Sequence, residues 1–246
     1  MEIKDTDTVI YLANDELARS YRWYKSYEGL SESLKVVSLD DLPTLIKQGF
    51  FFGLQKEGSI LIRNPFRKNG FIDINTSEEQ IIKEKIGAIS KIARKLGAKM
   101  IHGHAEFIDE CKIESTIDGG LSYKTVDIDA NYKKEQNESL KKLYDLSLAF
   151  PGTWSETTYA EAHKLLDEYN LSQEIEVRDL FDLRNPNEQN NLEKQTVRMS
   201  VTSELNSCKE VAASLTVMKD IFKMSGSTKK NVSTLKTIVF ESEIQF

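Results

Sequence analysis

Cysteine is scarce in this sequence, and so are the features that carry a chain into or across a membrane. Two cysteines, Cys111 and Cys208, cannot form the framework of several disulfides that holds small secreted domains together. The first residues show no basic segment followed by an apolar run, and no stretch approaches the ~18 apolar residues of a membrane-spanning helix. We therefore expect a cytoplasmic protein without stable membrane anchoring.

An excess of positive charge is missing as well. Lysine and arginine total 33 against 39 aspartates and glutamates, which gives a formal net charge of −6. Proteins that bind nucleic acid usually present a basic face to the phosphates, so nucleic acid is not an expected partner. Hydrophobic residues make up 39% of the chain, which is enough for an apolar core.

The short motifs that accompany common enzymatic chemistry are also absent. The sequence contains no G-x-S-x-G, no G-x-G-x-x-G and no C-x-x-C. A cysteine–histidine pair has no local signature here. This pattern favours a protein that acts without catalysis and without a cofactor, although missing motifs leave an enzyme open.

Among the elements that are present, a helix over 77–96 has the clearest pattern. Ser77 and Gln80 fit a capping box, in which two side chains satisfy free N–H groups at a helix start. A stripe at helical spacing follows, and Gly97 ends it. Its members are Ile82, Ile86, Ile89, Ala93 and Leu96.

After Gly97 the hydrophobic period changes to two, which predicts a long amphipathic β-hairpin over 99–133. Asp118 and Gly119 supply the turn, because this dipeptide accepts the positive φ angles that tight hairpins need. The predicted apolar face of the first strand comprises Ile101, Gly103, Ala105, Phe107, Cys111 and Ile113, with Asp109 as an exception. The predicted polar face comprises His102, His104, Glu106, Glu110, Lys112 and Glu114, with Ile108 as its apolar member.

The remaining pattern predicts the fold class. We expect helices near 138–149 and 156–169, a strand over 174–183, a polar loop over 184–191 and a final strand over 233–246. Together these elements predict a single α+β domain over 1–246. Its largely antiparallel, twisted sheet has long amphipathic strands, with helices packed on one face.

The segment HGHAEFIDE holds the strongest candidate site. His102, His104 and Glu106 would project from one face of a strand, and two imidazoles with a carboxylate form a good ligand set for a divalent transition metal. However, three residues along one straight strand span roughly 13 Å, so a metal would need a ligand from another element. A solvated strand face is the simpler interpretation.

A second candidate is an aromatic and basic cluster in the helix predicted over 15–28. Arg22, Trp23, Tyr24 and Tyr27 could form an interaction surface on which a base or a partner peptide stacks. The alternative is ordinary packing of aromatic rings with arginines that extend to solvent.

Three function classes remain open from the sequence. The first, which the sequence favours, is an intracellular protein that acts by self-assembly or by binding a protein partner through its one-sided sheet. The second is an enzyme or ligand-binding protein with a polar, metal-accepting site at His102, His104 and Glu106. The third is a self-assembling pore former, because long alternating hairpins suit conditional membrane insertion.

Overall fold

The computed structural model describes residues 3–4, 8–23, 34–53, 55–115, 121–125, 128–187, 192–201, 204, 206 and 234–246. Within these ranges two sheets and six α-helices form an α+β fold with mostly antiparallel strands, which confirms the predicted class. The strands are β1 (Val9–Ala13), β2 (Leu34–Ser38), β3 (Phe51–Phe52), β4 (Ile60–Arg63), β5 (Gly70–Asp73), β6 (Met100–Ser115), β7 (Leu121–Thr125), β8 (Leu146–Ala149), β9 (Lys194–Ser200) and β10 (Thr234–Gln245). The helices are α1 (Asp15–Trp23), α2 (Leu42–Lys47), α3 (Ser77–Lys95), α4 (Ala130–Tyr144), α5 (Glu156–Glu168) and α6 (Ile175–Leu183).

The first sheet has the strand order β2-β1-β4-β5-β3. β1 runs parallel to β2 and β3 runs parallel to β5, whereas β4 is antiparallel to both of its neighbours. All five residues of β1 are buried, because alternate side chains enter apolar clusters on opposite sides of the sheet. This explains why VIYLA is a continuous hydrophobic run rather than an alternating one.

The second sheet is antiparallel throughout and has the order β7-β6-β10-β9. β10 pairs with one edge of β6 from Met100 to Lys112. The other edge of β6 is shared, since β8 pairs with its first residues and β7 with its last. The final strand predicted over 233–246 is thus observed as β10, inside the sheet.

Helix α3 has the bounds that its apolar stripe predicts, and that stripe packs into the larger cluster. Ile82, Ile86 and Ile89 lie in one cluster with Phe107 of β6 and with residues of the first sheet. The predicted capping box is wrong, however. Thr76 is the N-cap and makes no side-chain cap bond, while the Ser77 hydroxyl donates to the Ile74 carbonyl at 2.9 Å.

The segment 174–183 is a helix, not the predicted strand. In α6 the buried residues Val177, Leu180 and Phe181 recur at spacings of three and four, the period of a helix. The alternating apolar residues of EIEV favour a strand when read alone, which is the origin of the error. Among the described residues, no helix combines the length and the apolar character needed to cross a bilayer.

The predicted hairpin is confirmed in its paired strands and corrected at its end. β6 and β7 pair antiparallel, and the proposed turn at Asp118 and Gly119 lies outside the described residues. Residues 130–133 belong to α4, because the Asp129 carboxylate accepts a hydrogen bond from the Asn131 N–H at 2.7 Å and so caps the helix. α4 ends at Tyr144, so the last residues of the helix predicted over 138–149 form β8 instead.

Candidate functional site

His102, His104 and Glu106 project from one face of β6, as their alternation predicts. Both histidines are exposed and Glu106 is half-buried, whereas the intervening residues Gly103 and Ala105 are buried. This outer face of the second sheet therefore meets solvent, while the opposite face meets the apolar core.

The neighbouring strands surround the two histidines with paired charges. In the strand register, His102 lies opposite Glu243, and His104 lies opposite Glu241. Lys194 binds Glu243 at 2.6 Å. Hydrogen bonding from Lys194 is the main reason that the pKa of Glu243 is lowered, and the charge of His102 is a smaller contribution.

These neighbours make the outer face a mixed-charge surface. Within the part of the chain that the structure describes, no group of three or more histidine, cysteine or acidic side chains is arranged to hold a metal ion. The metal site at His102, His104 and Glu106 stays a prediction.

Glu110 does not share this face, contrary to the alternation pattern. Phe107 pairs with Ile238 and Asp109 pairs with Thr237, so Ile108 is the extra residue of a β-bulge. The bulge shifts the alternation by one, which exposes Asp109 and brings Glu110 to the helix-covered side. A sequence pattern assumes an unbroken ladder and cannot locate such a shift.

Glu110 instead lines a cavity of about 510 Å³ beneath α4. The Tyr132 hydroxyl donates to the Glu110 carboxylate at 2.8 Å, and Lys236 lies 3.2 Å from Glu78. Burial is the first cause, and Glu110 the next, of a pKa for Tyr132 raised to about 12. Two pairs of polar side chains in this cavity, Tyr132 with Glu110 and Lys236 with Glu78, therefore bind each other.

The predicted aromatic and basic surface lies at the limit of the described residues. Arg22 and Trp23 belong to the last turn of α1, and the structure does not describe their side chains. Tyr24 and Tyr27 lie outside the described residues. The interaction surface at these four positions stays a prediction.

A strand that the sequence pattern missed borders a different surface. β8 has four residues and, among the described strands, pairs with β6 alone. The Phe150 N–H donates to the Lys99 carbonyl at 2.8 Å, so it points toward β6. Because hydrogen-bonding direction alternates along an antiparallel strand, the backbone groups of Ser147 and Ala149 point away from β6. The alternation of Leu146, Leu148 and Phe150 was the available signal.

An apolar groove lies between β8 and α3, and we call it the α3–β8 groove. Its volume is about 410 Å³, within the range of roughly 300–1,000 Å³ that is typical of ligand pockets. Leu143, at its margin, is 57% exposed. The Ser90 hydroxyl donates to the Ile86 carbonyl within α3, so it adds little polarity to the floor. The lining residues are Lys83, Ile86, Gly87, Ser90, Lys91, Arg94, Leu143, Tyr144, Asp145, Leu146, Leu148 and Phe150.

Gly87 makes this groove accessible from the helix side. A Cβ atom added at Gly87 would meet no heavy atom within 4 Å, so the space beside it is open. Glycine costs a helix interior about 1 kcal/mol relative to alanine. The sequence signal for the groove was therefore a glycine inside an otherwise regular helix.

Comparison of the chain with protein-family models, with curated protein sequences and with solved structures finds no match. Function is therefore inferred from the geometry of the second sheet and of the groove beside it.

Proposed function

We propose that this protein binds a partner protein by accepting an extended segment of that partner as an additional strand on β8. The observation that carries the proposal is a strand edge beside an apolar groove. The backbone groups of Ser147 and Ala149 point away from β6, and the described part of the chain places no strand against them. An exposed strand edge is a template for pairing with another chain.

The α3–β8 groove supplies what a strand edge alone lacks, which is a means of selecting side chains. Leu146 and Leu148 are half-buried and line the groove, whereas Ser147 and Ala149 are exposed on the outer face. Side chains of an added strand that lie opposite the two leucines would enter the groove. In strand addition, main-chain hydrogen bonds supply affinity, and pockets for alternate side chains supply specificity.

This proposal specifies the partner-binding class that the sequence favours. It keeps the cytoplasmic location that the sequence led us to expect, and it assigns no role to a metal or cofactor. The partner's segment needs about four to five extended residues, because β8 itself has four.

The test is a selection of displayed random twelve-residue peptides on the wild-type protein, followed by binding measurements on two Gly87 variants. Enriched peptides should alternate apolar and polar residues. They should bind Gly87→Leu at least about tenfold more weakly, a loss of ~1.4 kcal/mol, because the leucine fills the groove. Gly87→Ala is the matched control and should retain binding, since a methyl group leaves most of the groove open.

Hydrogen exchange locates the bound peptide independently. The backbone amides of Ser147 and Ala149 should exchange more slowly when the peptide is bound, because they become ladder donors. Peptides that bind Gly87→Leu as tightly as wild type, and that leave these two amides unchanged, would contradict the proposal. Both glycine replacements should fold, since each raises helix propensity.

A further inference from the structure

We infer that the segment bound beside β8 carries a carboxylate at the end that lies next to Arg94 and Phe150. This inference rests on the proposed strand addition and adds the chemistry of the partner to it. It depends on three features of the α3–β8 groove: its direction, its length and the unequal charge of its two ends.

Contacts at the two ends of the α3–β8 groove define its direction. The Tyr144 hydroxyl lies 3.5 Å from the Glu79 carbonyl, just before β8 begins. The Arg94 guanidinium lies 5.8 Å from the centre of the Phe150 ring, just after β8 ends. β8 therefore runs in the same direction as α3, and the groove has a Glu79 end and an Arg94 end.

The length of the groove matches a short extended segment. From Lys83 to Arg94, α3 rises by roughly 16 Å at 1.5 Å per residue. An extended chain covers that distance in about five residues at ~3.3 Å each. Two of those residues can lie opposite Leu146 and Leu148, which leaves the terminal one near Phe150.

Charges of both signs are present at the Glu79 end of the groove. Lys83 forms an ion pair with Glu79 one helical turn away, and exposed Asp145 also lines this end. A charged side chain of a partner gains little here, because both signs are already present.

The Arg94 end of the groove is positively charged. Arg94 lies over the Phe150 ring, and Lys91 donates to the Tyr169 hydroxyl at 2.5 Å. Neither cation forms an ion pair with a carboxylate of the described residues. Lys95, on the adjoining face of α3, is already paired with Glu161. A carboxylate at this end would meet two exposed cations beside an apolar surface, the arrangement that favours an acidic group.

The partner segment is therefore an extended peptide with apolar side chains at alternate positions and aspartate or glutamate at one end. Whether the acidic end is N-terminal or C-terminal depends on whether the added strand runs antiparallel or parallel to β8. An antiparallel segment would place its N-terminal end beside Arg94, and a parallel segment its C-terminal end.

Four labelled synthetic peptides test this inference on the full chain. All share a core of alternating leucine and threonine, and they carry two aspartates or two lysines at either the N-terminal or the C-terminal end. One of the aspartate peptides should bind more tightly than all the others, by up to about fivefold for each ion pair formed. The end that is preferred gives the strand direction.

Reversing the charge at position 94 of the protein is the matched comparison. Arg94→Glu should weaken the preferred aspartate peptide by about fivefold or more and should favour the lysine peptide of the same polarity. Arg178→Glu makes the same change on an exposed residue of α6 outside the groove, and it should leave all four affinities unchanged.

The outcomes separate the inference from the function on which it rests. If aspartate and lysine peptides bind equally well and Gly87→Leu blocks both, the inference of an acidic end is overturned. The proposal of strand addition then remains intact. The same result follows if library-selected peptides bind at β8 and show no enrichment of aspartate or glutamate at either end. A peptide whose core amides are N-methylated cannot donate ladder hydrogen bonds. If the methylated aspartate peptide binds as tightly as the unmethylated one, strand addition itself is overturned.

Discussion

Lys85 shows, at the scale of a single residue, how a charge can hold separate parts of the chain together. It is fully buried within α3. Its ammonium group donates to Glu174 at 2.5 Å, to Glu204 at 2.6 Å and to the Ser200 carbonyl at 2.7 Å. In the sequence this lysine stands in KEKIG and resembles the exposed lysines on either side of it. Its role is visible only once its partners are known.

Replacing Lys85 with alanine should lower the free energy of unfolding by about 3–5 kcal/mol, because it leaves two carboxylates without their common cation. Urea unfolding at neutral pH measures the change. Lys83→Ala is the matched control, since Lys83 and its partner Glu79 are both about half exposed. An exposed pair of this kind contributes at most ~1 kcal/mol. Equal losses for the two variants would contradict a special role for Lys85.

Arg184 is a second residue whose environment the sequence hides. It opens the segment predicted as a polar loop, yet only 8% of it is exposed. Its guanidinium lies 4.5 Å from the ring centres of both Trp154 and Phe246, and it donates to the Leu96 carbonyl at 3.1 Å. Burial lowers the pKa of Arg184. The residue joins α3, the segment before α5 and the end of the chain.

At the scale of elements, the pairing of β6 with β10 explains why Gly103 lies on the apolar face of the predicted hairpin. A Cβ atom at Gly103 would lie 2.6 Å from Cζ of Phe240 and 3.1 Å from the Glu241 carbonyl oxygen. The Phe240 ring of β10 occupies the space that a side chain on β6 would take. Gly103 is therefore part of the packing between two neighbouring strands.

Gly103→Ala should destabilise the protein by about 1–3 kcal/mol through overpacking, although alanine loses less backbone entropy on folding than glycine. Gly87→Ala on α3 is the matched control and should stabilise the protein by up to about 1 kcal/mol, because its added methyl group meets open space. Thermal and urea unfolding of the two variants should shift in opposite directions. A neutral or stabilising Gly103→Ala would contradict this account.

At the scale of the whole molecule, one apolar cluster includes residues from both sheets. Phe107 has no exposed surface and packs edge-on against Tyr132, with ring centres 6.1 Å apart. The same cluster contains Val9 and Ile60 of the first sheet. Shared packing of this kind supports the prediction that residues 1–246 unfold as one domain.

Phe107→Ala should lower the free energy of unfolding by about 3–5 kcal/mol and the melting temperature by roughly 10 °C, in a single transition. Calorimetry and circular dichroism should report the same midpoint. Phe51→Ala removes a ring that is 61% exposed and should change stability little. Two separated transitions, of which Phe107→Ala shifts only one, would contradict the single-domain prediction.

Local patterns in the sequence determined the elements whose period is long and unbroken. The apolar stripe of α3 and the alternation of β6 up to Phe107 each repeat often enough to define one period and one buried face. The same alternation placed His102 and His104 on an exposed face. Composition determined the negative net charge and the capacity for an apolar core.

Where a short sequence pattern fits more than one kind of element, the tertiary structure decided which one forms. Helix α6, strand β8 and the bulge at Ile108 depend on which neighbour supplies hydrogen bonds and apolar contacts, and a sequence window does not contain that neighbour. The α3–β8 groove is such a case, because its two walls, Lys83 to Arg94 and Leu143 to Phe150, come from distant parts of the chain. Local sequence determines period and propensity, whereas the burial of Lys85, or an edge of β8 that no described strand covers, is a property of distant segments brought together.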